Sequence, residues 1–364
     1  MSVLTTSRPN GSRPTAASEL PATPPRSKVQ GVRGLEAREA TIQRRLVLFL
    51  TIFPFVGVVT AMVMLWGSGL SPVDAGLALV FYLFTGLGVT IGYHRLFTHG
   101  SFQASRPLKI VLAVGGSMAM EGSLIGWCAI HRRHHAYSDK EGDPHSPHLD
   151  EGPGVMGVVK GLWHAHMGWL VTPEATDEKR WAPDLLKDKD LVKITKMFPL
   201  LAVASFLLPA LLGFALTQSL RGAVTAFVWA SLVRIFLLQH VTWSINSICH
   251  FYGERPFKSL DFSTNNWVLS LISFGESWHN NHHAFPTSAR HGIGRAQLDP
   301  SGRLISWFQK LRWASEVKSV SPKQIAAKKI AKFKPRPQLV AASKAKAQEI
   351  AEDLVVRRAD TQRF

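Results

Sequence analysis

The run Ala75-Gly-Leu-Ala-Leu-Val-Phe-Tyr-Leu-Phe-Thr-Gly-Leu-Gly-Val-Thr-Ile-Gly-Tyr93, followed at once by His94, decides how this chain folds. Its 19 positions carry no charge, close to the roughly 20 apolar residues a helix needs to cross a bilayer core. Three further runs have the same character: Leu46–Trp66, Met197–Thr217 and Gly222–His250. Pro54 and Gly57 interrupt the first, which membrane helices tolerate. Arg234 interrupts the last, and a charge in mid-span is by default a functional hypothesis. Ile110–Met120 is apolar over only 11 residues, too short to span and suited to an interfacial or buried helix. Arg38, Arg44 and Arg45 precede the first span, whereas the link Gly67–Asp74 has no basic residue. The positive-inside rule then puts the N-terminus and His94 on the cytoplasmic side.

Composition agrees. Of 364 residues, 46% are apolar and only 18% charged, a low charge fraction for a soluble protein of this length. The net charge of +17 is concentrated outside the spans. Residues 1–40, rich in Ser, Thr, Pro and Arg, read as a disordered tail without a signal peptide. Lys310–Lys346 holds 11 Lys or Arg against one acid, Glu316. Beside a membrane this basic stretch is expected to meet anionic lipid rather than nucleic acid. Two cysteines, Cys128 and Cys249, make no disulfide framework and read as reduced core residues.

The chemistry lies in histidine. His131-Arg-Arg-His-His135 and His279-Asn-Asn-His-His283 each set three imidazoles at i, i+3 and i+4, one face of a helix. His94 and His99 are five apart, about 140° round an ideal helix, so the second span should end or unwind between them. Asn246 and His250 share a face at the end of the fourth span. Four spans bring all nine imidazoles to one side of the membrane, too many for one ion and about right for two. An all-nitrogen set suits iron, copper, zinc or nickel rather than magnesium or calcium. Structural zinc needs four ligands. A site with open positions at a membrane points to dioxygen chemistry on a lipid. Asp143 and His166 are candidates for groups that orient the ligands. His145, His148, His164, His240 and His291 read as ordinary surface or core histidines.

Gly92-Tyr-His-Arg-Leu-Phe-Thr-His99, Trp127 with His131–His135, Asp143-Pro-His145, Asn246-Ser-Ile-Cys-His250 and Gly275-Glu-Ser-Trp-His-Asn-Asn-His-His283 resemble the signatures of the membrane acyl-CoA (stearoyl-CoA, Δ9-type) fatty acid desaturases. The likeness runs from about Leu79 to Gly292. It implies an all-α integral membrane protein, with four transmembrane helices under a cytoplasmic helical cap that holds a histidine-rich di-iron site. The desaturase domain would cover residues 41–309, between the tail 1–40 and the basic tail 310–364. The implied iron ligands are His94, His99, His131, His134, His135, His250, His279, His282 and His283, with Asn246 acting through a water. Trp127 and Thr242 match positions lining the kink of an acyl tunnel, and Tyr82 one near its closed end; an Arg stands at the Arg234 position in the family too.

The implied reaction is O2-dependent insertion of a cis double bond, Δ9, into a saturated acyl-CoA. The chain has no haem-binding His-Pro-Gly-Gly stretch, so electrons are expected from a separate ferredoxin or flavin–iron–sulfur reductase. The implied location is the cell membrane, multi-pass, with both termini cytoplasmic. Glu121 and Gly122 depart from the family, standing where the animal enzymes carry amides near the substrate. Two other readings remain open: a di-iron lipid or alkane hydroxylase, and a non-enzymatic metal transporter or sensor.

Overall fold

In a computed structural model, the structure describes residues 29–149, 152 and 154–330. The expectations for residues 1–28 and 331–364 lie outside these. Helix α1, Ala37–Ser68, opens on a capping box in which Glu36 and Glu39 bond each other's backbone N–H. Strand β1, Val32–Gly34, precedes it, within the stretch expected to lack structure. Helix α2, Pro72–Leu87, starts on Ser71, whose hydroxyl accepts from the Asp74 N–H, and runs into a wider π-helix, Gly88–Thr98. Strand β2, Gln103–Ala104, leads to α3, Arg106–Ser117, and then to α4, Leu124–Tyr137, which carries the first HxxHH cluster. Next come α5, Gly154–His166, strand β3, Glu174–Thr176, and two short helices, α6, Glu178–Trp181, and α7, Lys189–Lys196. Helix α8, Phe198–Thr217, is followed by α9, Leu220–Ala226, a second π stretch Phe227–Val233, and α10, Arg234–Ser247. The cap closes with α11, His279–Ala284, α12, Pro300–Lys310, strand β4, Ala314–Ser315, and α13, Pro322–Lys328. Two small antiparallel pairs staple the ends: β1 on β3 (Val32 opposite Thr176) and β2 on β4 (Gln103 opposite Ser315).

Among the described residues four helices are long and apolar enough to cross a membrane: Ala37–Gly67, Pro72–Thr98, Phe198–Thr217 and Leu220–His250. Their most apolar windows are 17%, 50%, 22% and 50% buried, in that order. The second and fourth, which lead into histidines, are thus the inner pair, and α1 and α8 present most of their surface outward. Leu46, Phe49, Val63, Leu211 and Leu216 are among their exposed side chains. Such an apolar belt is untenable in water and ordinary against lipid.

Helix α3 is short, as its 11-residue apolar core required, and is buried against the second span. The two backbones almost touch: a Cβ on Gly88 would lie 2.2 Å from the Gly116 amide nitrogen, so only glycine fits there. Arg234 fixes the end of α3. Its guanidinium donates to the carbonyls of Met118, Ser205 and Ala230 and to the Ser205 hydroxyl, at 2.9–3.2 Å. The mid-span charge therefore caps carbonyl oxygens and ties α3, α8 and α10 together. Gln239 holds the Met120 carbonyl beside it, which sets the loop carrying Glu121.

Arg234→Met would take the guanidinium from these buried oxygens, leaving the Met118 carbonyl only the Ser205 hydroxyl, at a cost of roughly 3 kcal/mol. The expected result is a clear fall in the thermal unfolding midpoint of the detergent-solubilised protein; an unchanged midpoint would remove Arg234 from this role.

Candidate metal centre

The route from the second span to the centre differs from the expectation of a helix that ends or unwinds. The helix widens instead. The His99 N–H bonds the His94 carbonyl and the Thr98 hydroxyl bonds the Tyr93 carbonyl, both five residues back. The π-helical turn brings residues five apart onto one side, and the His94 and His99 rings meet at 4.8 Å between centroids.

The nine imidazoles form two groups. Ligand atoms of His94, His99, His131, His135 and His282 lie within 4.8 Å of one another, as do those of His134, His250, His279 and His283. The HxxHH clusters do not each converge on one point, as a shared face suggested. In both, the i and i+4 rings go to one group and the i+3 ring crosses to the other. His131 and His135 stay together while His134 leaves; His279 and His283 stay together while His282 leaves. Each cluster thus bridges the two groups.

Buried carboxylates orient the rings. His134 Nδ1 donates to Asp143 (2.9 Å), His250 Nδ1 to Asp139 (2.9 Å), His283 Nδ1 to Asp261 (2.7 Å) and His94 Nδ1 to Glu276. With the proton held at Nδ1, each Nε2 keeps a bare lone pair. Those lone pairs face other nitrogens: His94 Nε2 meets His282 Nε2 at 3.1 Å, and His250 Nε2 meets His279 Nε2 at 3.0 Å. The Nε2 atoms of His99, His134 and His283 are buried with no hydrogen-bond partner among the described residues. Burial, then the neighbouring rings, holds His99, His131, His135, His279 and His282 well below the usual imidazole range, so they are neutral. Burial opposes ionisation of Asp143, Asp261 and Glu276, but the facing imidazoles, with Arg95 beside Glu276, outweigh it and hold these carboxyls low. Converging neutral imidazole nitrogens, four of them on rings whose proton is held on the far side by a carboxylate, fit a cation.

Of the two groups expected to orient ligands, Asp143 bonds the His134 ring, whereas His166 bonds His240 (2.9 Å) and the Ser247 hydroxyl (3.0 Å) on α10. Asp139, Asp261 and Glu276 escaped the sequence reading, although Asp139 lies four residues after His135 and Glu276 three before His279. His145 and His291, read as ordinary, pack on the centre: His145 stacks on His134 at 4.3 Å and His291 lies 4.5 Å from His282. Arg95 bridges Glu276 and Asp299, and Asp299 also caps α12. The short α11 is held by its two asparagines: Asn280 pairs with the Phe257 backbone, and Asn281 donates to the His291 carbonyl. Both cysteines are buried and free, and burial pushes the Cys128 thiol up to about 12.

Two cavities adjoin the centre from the span side. One, of about 510 Å³, runs from His94, His131 and His279 down to Gly86, Ile272 and Phe274. The other, of about 930 Å³, runs from His131 and His145 to Leu46, Leu50 and Phe198 on α1 and α8. They share Trp127, His131, Thr242 and Asn246, so these four stand where the two meet. Trp127 stacks on His131 at 5.0 Å and donates Nε1–H to Glu121 (3.3 Å). Burial raises the Glu121 carboxyl to about 7, against hydrogen bonds from Thr242 and Trp127. Tyr82 sits just past the far end of the first cavity, its hydroxyl on the Ile272 carbonyl (2.7 Å) and its ring 5.6 Å from Phe274.

Comparison with known proteins matches residues 70–300 to the family described as Fatty acid desaturase. The chain is 39% identical over 291 residues to a hex-5-enoyl-[acyl-carrier protein] acetylenase of Moorena producens (80% of this chain, 91% of the relative). It is 37% identical over 260 residues to an sn-1 stearoyl-lipid 9-desaturase of Anabaena variabilis (71% and 88%). It is also 37% identical over 235 residues to an acyl-CoA C20 Delta5-desaturase of Anemone leveillei (64% and 69%).

Glu276→Gln removes the carboxylate charge and leaves one acceptor oxygen where His94 Nδ1 and Arg95 use two. The expected outcome is metal retention weakened by about 10- to 100-fold, read as metal content after dialysis against a graded chelator. Full retention at every chelator concentration would contradict the role given to Glu276.

Proposed function

Since the chain belongs to the fatty acid desaturase family, an oxidoreductase family of the membrane acting on acyl chains, we propose that it inserts a cis double bond at carbon 9 of a saturated long-chain acyl-CoA. The observation that carries this reading is the junction of two apolar-lined cavities at Trp127, His131, Thr242 and Asn246, directly against both imidazole groups. A chain threaded through the cavities bends there, with a mid-chain methylene pair at the metal centre. His94, His99, His131, His135 and His282 would hold one iron; His134, His250, His279 and His283 the other, with Asn246 beside them to hold a water. Two irons supply the reaction of O2 with an unactivated methylene, which no side chain performs alone. The reaction balances when the acyl chain gives up two hydrogens, and two electrons and two protons enter from outside, so that O2 leaves as two waters.

The residues of the chain do the rest. Trp127 and Thr242 shape the bend, and Glu121 braces both. Tyr82 with Phe274 stops the methyl end. The apolar lining excludes water from the reacting carbons. Support for a phosphate-bearing head group such as CoA is the pair Arg44 and Arg45, exposed next to Leu46 at the cavity. Arg38, Arg44 and Arg45 in the first turns of α1, and the link after it, which has no basic residue, support a cytoplasmic N-terminus and cap.

The test is expression in a desaturase-deficient host, with fatty-acid profiling and parallel assays on stearoyl-CoA and stearoyl phospholipid. New Δ9-monounsaturated acid from stearoyl-CoA is expected, and none from His134→Ala. A hydroxy acid with no new double bond would turn the reading to a hydroxylase; product from the phospholipid alone would overturn the CoA assignment.

Glu121 yields a second outcome. Its carboxyl is neutral below about pH 7 and ionised above, which puts a charge against the acyl chain at high pH. KM for stearoyl-CoA should climb several-fold between about pH 7 and 8.5 and stay flat in Glu121→Gln. Parallel pH profiles would sever Glu121 from substrate binding.

A further inference from the structure

Two histidines that read as ordinary in the sequence stand in matching places, one behind each imidazole group. His291 and Glu276 cluster with His94; His145 and Asp143 cluster with His134. In each trio one carboxylate oxygen serves two rings. Glu276 Oε2 accepts from His94 Nδ1 and lies 3.3 Å from His291 Nδ1. Asp143 Oδ1 accepts from His134 Nδ1 and lies 3.9 Å from His145 Nδ1. Each outer ring also lies against a ligand ring of the same group: His291 against His282 at 4.5 Å, His145 on His134 at 4.3 Å. Both are buried, at 1% and 3% exposure. Both nitrogens of His291, and Nδ1 of His145, have no hydrogen-bond partner among the described residues. Such buried orphan groups are costly, and an apolar side chain would fill the space without that cost.

His291 is firmly anchored. Its backbone N–H donates to Asp299 Oδ2 (2.7 Å), and its carbonyl accepts from Asn281 (2.7 Å). Asp299 pairs with Arg95, and Arg95 with Glu276. The contacts close a ring from His94 through Glu276, Arg95 and Asp299 to His291, and from there back to Glu276. Arg95 occupies Oε1 of Glu276, so Oε2 is left for the two imidazoles. His291 borders neither span-side cavity. Nor does it border the cavity on the cap, rimmed by Lys258 and Lys328, onto which His99, His135 and His283 open. Its effect on the centre therefore runs through the carboxylate and the ring it touches.

We propose that His291 is a positioning residue for the group of five. A slight turn of its ring brings Nδ1–H onto Glu276 Oε2, and with Arg95 it sets the direction from which that oxygen receives His94 Nδ1. Its ring face holds His282. One side chain thus steers two rings of the group in which a carboxylate backs only His94. His145 holds the matching place for the group of four, bearing on His134 through Asp143 and through its ring. Each group then has an outer imidazole of its own, and the two are set independently. The inference rests on the reading of the nine histidines as a two-iron centre and not on the reaction that follows.

The test uses the full-length protein in nanodiscs, loaded with Mössbauer-active iron. His291→Phe keeps a ring but no nitrogen. His291→Asn puts an amide N–H where Nδ1 stood, and His291→Gln puts one where Nε2 stood. Iron content is followed against a graded chelator, and Mössbauer spectra are recorded before chelation. In His291→Phe one iron should leave at about 10- to 100-fold lower chelator, while His291→Asn stays within about threefold of wild type. The quadrupole doublet of one iron should shift in His291→Phe, and that of the other in His145→Phe. A His291→Phe protein that matches wild type in retention and spectrum would overturn the proposal. So would both doublets moving together, which marks a general loosening of the fold. Equal retention in His291→Asn and His291→Gln would overturn it too, and that comparison stands even where the Phe variant does not fold. An iron-free wild type would sink the proposal together with the two-iron reading. Iron held normally with no double bond formed would defeat the desaturase reading alone.

Discussion

Four imidazoles in this protein give their Nδ1 proton to a buried carboxylate, and the rest of the architecture depends on that pairing. It decides which nitrogen of each ring is bare and where that nitrogen points. The pairs are long-range: His94 with Glu276, separated by 182 residues, and His250 with Asp139, separated by 111. Each pair can form only if the spans and the cap meet in one register. The carboxylates are spread unevenly. Three of the four rings in the group of His134, His250, His279 and His283 are backed by one, against only His94 in the group of five. The smaller group thus has its ring orientations more tightly set from outside.

The backbone supports the same end by unusual means. Two π-helical stretches interrupt the inner spans, one at Gly88–Thr98 and one at Phe227–Val233. The first puts His94 and His99 side by side. The second lies directly before Arg234, whose guanidinium holds the carbonyl ends of α3. Both departures from α geometry sit where the helix must deliver a side chain to a fixed point. A mid-span arginine is costly in lipid. Here it is offset by satisfying backbone oxygens that lipid cannot, and the loop it anchors carries Glu121 to the bend between the cavities.

A division of labour between faces follows. Apolar cavities approach the imidazoles from the spans, and a polar, lysine-rimmed cavity approaches from the cap. The two imidazole groups thus lie at the boundary between an apolar and a polar approach. Trp127 shows how closely the parts are joined. Its ring stacks on His131, its N–H bonds Glu121, and it borders both span-side cavities.

Much of this was legible without coordinates. Hydropathy is a local property, so the four long apolar helices could be read directly, and the short α3 was recognisably too short to cross. The nine histidines were legible as a set because even a few residues of spacing place them on helix faces. The partition into groups of five and four was not, since it depends on how α4 and α11 face each other across the fold. Nor was the crossing of His134 and His282 to opposite groups. Asp261 lies 22 residues from His283, in a loop with no pattern of its own, and only tertiary folding brings it to that ring. His166, expected beside the ligands, is turned by α5 toward His240 and Ser247. Residue types and local periodicity determined which chemistry this chain can hold. The fold alone decided which nitrogens face each other, because hydrogen-bond direction is set by partners that are distant in sequence.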